Sequence, residues 1–190
     1  MKKILIYIFI SFFLTSCNLF EPRDAEDPTI EKSNFKPPTT PDIVIENLIN
    51  SISEKNSINY TQCFGGPNLE FFFLPANEVK STYYSIFSEW TINSEKSYFD
   101  NLVIQTSKDA ASNLVLSNQI QQSSSDSVIF SANYTLNFQH STAGVPQLAA
   151  GNLQFIIKRD KNNNWYITRW MDFKLQNQFS WSELKARFVN

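Results

Sequence analysis

The chain has 190 residues, 42% of them hydrophobic and 15% aromatic, with 16 basic and 18 acidic residues and a net charge of −2. That slightly acidic balance, with no basic stripe, argues against a nucleic-acid partner, and 4 glycines beside 17 phenylalanines argue against a repeat or low-complexity array. One histidine and 2 cysteines are too few for a zinc site of the usual ligand type, so no metal and no cofactor are expected.

The first residues carry a positive start, Lys2 and Lys3, and then a nearly unbroken apolar run from Ile4 to Leu14. A membrane span needs about 20 apolar residues, so this run is too short for one. A basic start, a short apolar core and a small residue before a cut describe a secretory signal over residues 1–16. Its ending, Leu14-Thr15-Ser16-Cys17, resembles the lipobox of bacterial lipoproteins. The resemblance implies cleavage before Cys17, acylation of its thiol and new amino group, and attachment to the cell envelope. Two or more acyl chains anchor a protein stably. Asn18 stands where an aspartate would favour the inner membrane, so the resemblance implies the outer membrane. Cleavage removes Lys2 and Lys3 and no acid, which takes the net charge of −2 to about −4.

Residues 17–40 read as a flexible, lipid-anchored tether. Pro22, Pro28, Pro37 and Pro38 lie among polar and charged residues, and such a stretch stays extended rather than folding. Phe35 is its exception and could dock on the domain. With Cys17 acylated, Cys63 has no disulfide partner within the chain. It sits in Tyr60-Thr61-Gln62-Cys63-Phe64 with no histidine or cation beside it. A buried, unreactive thiol is expected there.

The domain, residues 41–190, begins at Thr40-Pro41-Asp42, which supplies an N-cap, a first-turn proline and an acid for the helix dipole. Ile45, Leu48, Ile49 and Ile52 then follow helical spacing to about Lys55. Ser57 can cap a short second helix carrying Ile58, Tyr60, Cys63 and Phe64, ended by Gly65-Gly66-Pro67. Leu69 to Leu74 reads as a short buried strand. Residues 78–104 read as mostly helical, with one aromatic group of Tyr83, Tyr84, Phe87 and Trp90. A further helix, capped by Asn93 or Ser94, carries Tyr98, Phe99, Leu102 and Val103.

The second half changes period. Leu114, Leu116 and Ile120 alternate with polar residues. Val128, Phe130, Ala132, Tyr134, Leu136 and Phe138 alternate with Ser, Asn and Thr, the pattern of a half-buried strand. Leu153, Phe155 and Ile157 repeat it, the run Asp160 to Asn164 makes a turn, and Trp165 to Leu175 returns. Ser180 can cap a last helix through Trp181, Leu184 and Phe188. Helices followed by antiparallel strands with one face on the core predict an α+β domain.

This order resembles the NTF2-like (SnoaL-like) superfamily over roughly residues 40–190. The residues behind the resemblance are a first helix broken at Asn56-Ser57, a short helix ending in Cys63-Phe64, and long strands ending in Trp165-Tyr166-Ile167-Thr168-Arg169-Trp170-Met171-Asp172. The same ending, with Trp181-Ser182-Glu183-Leu184-Lys185 beyond it, also resembles envelope lipoproteins of environmental bacteria. The resemblance implies a cone in which N-terminal helices pack on a curved antiparallel sheet. A cystatin-like helix-plus-sheet domain is the alternative. Members of the superfamily include isomerases, dehydratases, cyclases, ligand carriers and dimerisation modules, and the enzymes place an aspartate with a histidine or tyrosine inside the cone.

No catalytic constellation is evident. His140 is expected in a solvated loop or strand end. Strict alternation puts Trp165, Ile167, Arg169, Met171 and Phe173 on one face of the last strand, and Tyr166, Thr168, Trp170, Asp172 and Lys174 on the other. If the first face is inside, Arg169 needs a carboxylate or an anionic ligand. If the second is, Asp172 can approach Tyr134. With Trp90 these make a possible pocket: Trp90, Tyr134, Arg169 and Asp172. The aromatic set around Tyr83 to Phe99 lines either an apolar pocket or ordinary core. The expected function is a non-catalytic envelope lipoprotein with a ligand-binding or interaction domain. Its expected partners are the membrane through Cys17, a small hydrophobic ligand, or a second copy meeting the polar sheet face. A structural subunit of an envelope assembly and an isomerase- or dehydratase-type enzyme are the alternatives.

Overall fold

The computed structural model describes residues 33–190. The expected signal peptide, Cys17 and most of the expected tether lie outside the described residues. Among the described residues no helix is long and apolar enough to cross a membrane. Residues Ser33–Asn190 form one compact unit. The end of the expected tether is pinned to it: Lys36 N–H donates to Asn47 Oδ1 at 2.9 Å, Trp165 N–H donates to the Pro38 carbonyl at 2.7 Å, and Phe35 packs on the core.

Helix α1 (Pro41–Ser53) starts as its sequence requires, with the Thr40 hydroxyl accepting from Ile43 N–H and Pro41 in the first turn. Val44, Leu48 and Ile52 on one stripe are fully buried. Lys55 follows in the left-handed region, φ +52°. Its ammonium donates to the carbonyls of Ser107, Lys108 and Ala110 at 2.6–3.0 Å, which ties the end of α1 to a distant loop. Helix α2 (Ser57–Gln62) is capped by Asn56, not Ser57. Tyr60 and Cys63 are buried, but Ile58 faces solvent. Strand β1 is only Phe72–Leu74, and it is half-exposed rather than buried. Short helices α3 (Asn77–Thr82) and α4 (Tyr84–Phe87) lead to α5 (Ile92–Ile104), which opens with a capping box between Thr91 and Ser94.

Strands β2 (Ser112–Ser123), β3 (Ser127–Phe138), β4 (Leu148–Arg159) and β5 (Trp165–Lys174) form an antiparallel meander, and β1 adds in parallel beside β5. The sheet order is β1-β5-β4-β3-β2. Helix α6 (Trp181–Phe188) begins with a capping box between Ser180 and Glu183 and packs on α5, β4 and β5. Strand β3 keeps the expected alternation, with Val128 through Phe138 inward.

Two bulges break the alternation elsewhere, since an unpaired residue flips every side chain beyond it. In β2 the register shifts between Ser117 and Ile120, around Asn118 at φ +51°. Ile120 therefore lies on the outer face, exposed, and not beside Leu114. In β5 the pairing passes from Ile157–Ile167 to Ile156–Arg169 and leaves Thr168 as the extra residue. Its hydroxyl donates to the Ile156 carbonyl at 3.1 Å. Trp165 and Ile167 point inward before the bulge, and Trp170 and Asp172 point inward after it.

Candidate functional site

The inner face of the sheet meets α1, α5 and α6 over a core of large side chains: Tyr60, Tyr98, Phe99, Phe130, Phe138, Phe155, Trp170 and Trp181 are all essentially inaccessible. They fill the interior between the sheet and the helices, the second of the two alternatives left open by the sequence. Trp170 and Trp181 meet edge to face at 4.5 Å, and Tyr60 stacks on Phe99 at 3.8 Å.

Two buried polar hubs are set into this core. The first joins two residues singled out from sequence. Tyr134 on β3 donates its hydroxyl to Asp172 Oδ1 at 2.8 Å. Asp172 Oδ2 accepts from the Ser182 N–H at 2.8 Å and the Ser182 hydroxyl at 2.5 Å. The Tyr134 hydroxyl also accepts from Trp181 N–H, and Ala76 N–H donates to Ser182 Oγ. Asp172 and Tyr134 thus each satisfy one orphan donor of the first turn of α6, the N–H of Ser182 and of Trp181, and link that turn to β3, β5 and the loop before α3. Burial pushes its carboxyl above the ordinary range, although the Ser182 and Tyr134 bonds act in the opposite direction. Burial, reinforced by the Asp172 charge, also raises the Tyr134 hydroxyl well above its ordinary value.

The second hub involves two residues that sequence reading did not single out. Glu95 on α5 and Lys185 on α6 form an ion pair at 2.7 Å in which both side chains are 0% exposed. Glu95 also accepts from the Tyr60 hydroxyl at 2.6 Å and from Trp90 Nε1 at 2.9 Å. The Lys185 ammonium lies 3.5 Å from the Trp170 ring centroid and 3.6 Å from that of Phe73. Burial lowers the Lys185 pKa to about 8, with Glu95 acting against that shift. The hubs are bridged by Trp181 Nε1 donating to the Tyr98 hydroxyl at 2.8 Å. The signal for this pair was present in the helical spacing. Glu95 stands with Tyr98, Phe99 and Leu102, and Lys185 with Trp181, Leu184 and Phe188, each charge inside an apolar i, i+3, i+4, i+7 stripe. Two opposite charges on two such stripes imply each other.

The expected pocket set is divided. Tyr134 and Asp172 meet, and Trp90 belongs to the second hub. Arg169 is on the opposite, exposed face of the sheet because of the Thr168 bulge, in a surface groove with Lys158 and Glu70. Tyr84 is exposed and Tyr83 half-buried, so neither joins a closed aromatic pocket. His140 is buried, contrary to the solvated position expected. It meets Phe188 edge to face at 4.9 Å, and Nε2 donates to the Pro146 carbonyl at 3.2 Å, since that carbonyl can only accept. Cys63 is buried, and burial raises its thiol far above the ordinary value. Among the described residues no group of His, Cys, Asp and Glu could hold a metal ion.

Glycine enforces the closeness of the first hub. A Cβ on Gly151 would lie 2.6 Å from the Tyr134 hydroxyl and 2.7 Å from the Phe173 carbonyl. On the outer face, Asn152 Nδ2 donates to Asn133 Oδ1 at 3.3 Å and Gln154 Nε2 to Ser131 Oγ at 3.1 Å, a row of cross-strand polar pairs.

No family model matches the chain, and no curated protein matches it in sequence. Solved structures do. An NTF2-like protein from Cytophaga hutchinsonii superposes with a TM-score of 0.51 at 11% identity, covering 70% of this chain and 93% of its own. A protein described as a putative aromatic ring hydroxylase from Novosphingobium aromaticivorans gives 0.53 at 12% identity, covering 75% and 91%. An NTF2-like superfamily protein from Salmonella enterica serovar Typhimurium gives 0.50 at 10% identity, covering 70% and 89%. At such identities the likeness concerns the fold alone. With helices packed on a curved, mostly antiparallel five-stranded sheet, the domain has an NTF2-like α+β fold.

Proposed function

We propose that this protein is a lipid-anchored lipoprotein of a bacterial cell envelope, in the outer membrane, and that its folded domain is a non-catalytic binding or interaction module working through the outer face of the sheet. The observation that carries the reading is the occupied interior. The Glu95–Lys185 pair and the Tyr134–Asp172–Ser182 hub, closed in by tryptophans and phenylalanines, take the space a substrate would need. The lipid anchor rests on Leu14-Thr15-Ser16-Cys17 alone. The outer face, with its neutral polar pairs and exposed Ile120, Ile129 and Phe173, is the broad surface left for a partner.

A second reading, an isomerase- or dehydratase-type enzyme, has one observation in its favour. Asp172 lines a surface cleft of about 300 Å³ with Lys80 and Lys174. Three hydrogen bonds from Tyr134 and Ser182 already hold the Asp172 carboxylate, so turning it toward a substrate would break the α6 cap.

Native mass spectrometry of the full-length product from its own host tests the proposal. The expected mass is that of the chain from Cys17 plus acyl groups, and Cys17→Ser abolishes the acyl mass. A non-covalent small molecule released on denaturation and still bound by Phe173→Ala, and so held inside the domain rather than on the outer face, would refute the filled interior. An unacylated Cys17 would refute the anchor.

A further inference from the structure

The outer face of the sheet contains a groove of about 340 Å³ crossing four strands, within the size range of small-ligand sites. Its floor is the row of Ser131 and Asn133 on β3 and Asn152 and Gln154 on β4, paired side by side. Phe173 on β5, directly opposite Asn152 in the ladder and half-exposed, forms one wall. Asn118, held at φ +51° by the β2 bulge, stands at the other with Ile120. The bulge in β2 puts Ile120 on this face, and the bulge in β5 does the same for Phe173.

The lining has a definite chemistry. It carries no charged side chain. Its amides and hydroxyl offer donors and acceptors side by side, and the pairs among them use only part of that capacity. An ion would find no counter-charge here, and an apolar ligand would cover amides without satisfying them. A hydroxyl both donates and accepts, so closely spaced hydroxyls suit closely spaced amides. The Phe173 ring offers a flat apolar wall against which the C–H face of a sugar ring can lie.

We infer that this groove binds a neutral glycan, with Asn133, Asn152 and Gln154 holding hydroxyls and Phe173 stacking on a sugar ring. The inference rests on the proposal that the outer face is the working surface, and it names the ligand class for that face.

The test titrates the full chain, in a detergent without sugar headgroups, with neutral hexamers of glucose and of N-acetylglucosamine and with an acidic galacturonate hexamer as control. The expected result is binding of at least one neutral hexamer with a Kd of about 1 mM or tighter. Phe173→Ala and Gln154→Ala, each checked for folding by circular dichroism, are expected to weaken it by about tenfold or more. No binding of either neutral sugar, equal binding of the acidic one, or binding unchanged in both variants overturns the inference. Sedimentation of the same samples separates the two levels. A dimer that Phe173→Ala dissociates would mean that a second copy covers the groove, which overturns the glycan and keeps the outer face as the working surface.

Discussion

Lys185→Met tests the buried ion pair, the most consequential feature of the core. Methionine keeps most of the lysine volume and can still lie between the Trp170 and Phe73 rings, 3.5 and 3.6 Å from the present ammonium. What it removes is the only cation bonded to Glu95 among the described residues, at 2.7 Å and with both groups inaccessible. A buried carboxylate left with only the Tyr60 and Trp90 donors is uncompensated, and breaking such a pair from one side costs about 3–5 kcal/mol. A domain of this size has about 5–15 kcal/mol in total, and each kcal/mol moves Tm by about 2–4 °C. The expected loss is therefore roughly 6–20 °C. Urea denaturation followed by tryptophan fluorescence is the assay, since Trp90 and Trp170 flank the pair. Adding Glu95→Gln to Lys185→Met is expected to cost less than the two single changes summed, because the second removes the charge stranded by the first. A loss below about 1 kcal/mol for Lys185→Met would show that the pair is not formed in a dry interior, and the reasoning would fail.

Other expectations follow from the same hubs. Gly151→Ala puts a methyl 2.7 Å from the Phe173 carbonyl, a backbone atom that cannot turn away, so it is expected to cost about 1–3 kcal/mol by overpacking, read as a lower Tm. Asp172→Asn turns an amide –NH2 toward the Tyr134 hydroxyl or toward Ser182, and the unpaired donor is expected to cost about 1–3 kcal/mol in urea unfolding. Arg169→Ala, on the exposed outer face, is expected to change stability by less than about 0.5 kcal/mol, and a larger loss would argue against the β5 bulge. The pH dependence has a definite sign. Lys185 is lowered to about 8 in the fold against an ordinary 10.5, so between those values the unfolded chain binds more protons. The contribution of this group to stability therefore rises with pH across that window, by up to about 1.4 kcal/mol per pH unit. Urea unfolding at pH 7.5 and 9.5 checks it, with Lys185→Met expected to abolish that rise.

The local elements were legible because their causes are local. Thr40-Pro41-Asp42 and the Ser180–Glu183 capping box start helices through bonds that reach only three residues. The unbroken alternation of β3 marks a strand with one face on the core. The order of these elements already pointed to helices on an antiparallel sheet. The chemical preference of Ile58 did not show that it faces solvent, because α2 has only 6 residues, less than two turns, and only packing decides which of its faces is covered. His140 could not be placed from its loop for the same reason: Phe188, far along the chain, covers it.

The last strand shows most sharply where sequence stops. Its alternation placed Arg169 and Trp170 on opposite faces correctly, but which face was inside at each end depended on Thr168, an extra residue that only the pairing with β4 reveals. A single unpaired residue reverses the phase, so the same pattern admits an inward Arg169 or an inward Asp172, and tertiary pairing selects the second. The charges at Glu95 and Lys185 were visible in sequence as intruders on apolar stripes, yet a buried charge is tolerable only beside its counterpart. Their partnership became readable once α5 and α6 were packed side by side. Sequence by itself determined the helix starts and the strand period, and it alone carries the resemblance to a secretory signal over residues 1–16, because all of these depend on neighbours a few residues apart. The filled interior and the exposed groove were decided by tertiary structure alone, because each depends on which distant side chains meet and which are left without a partner.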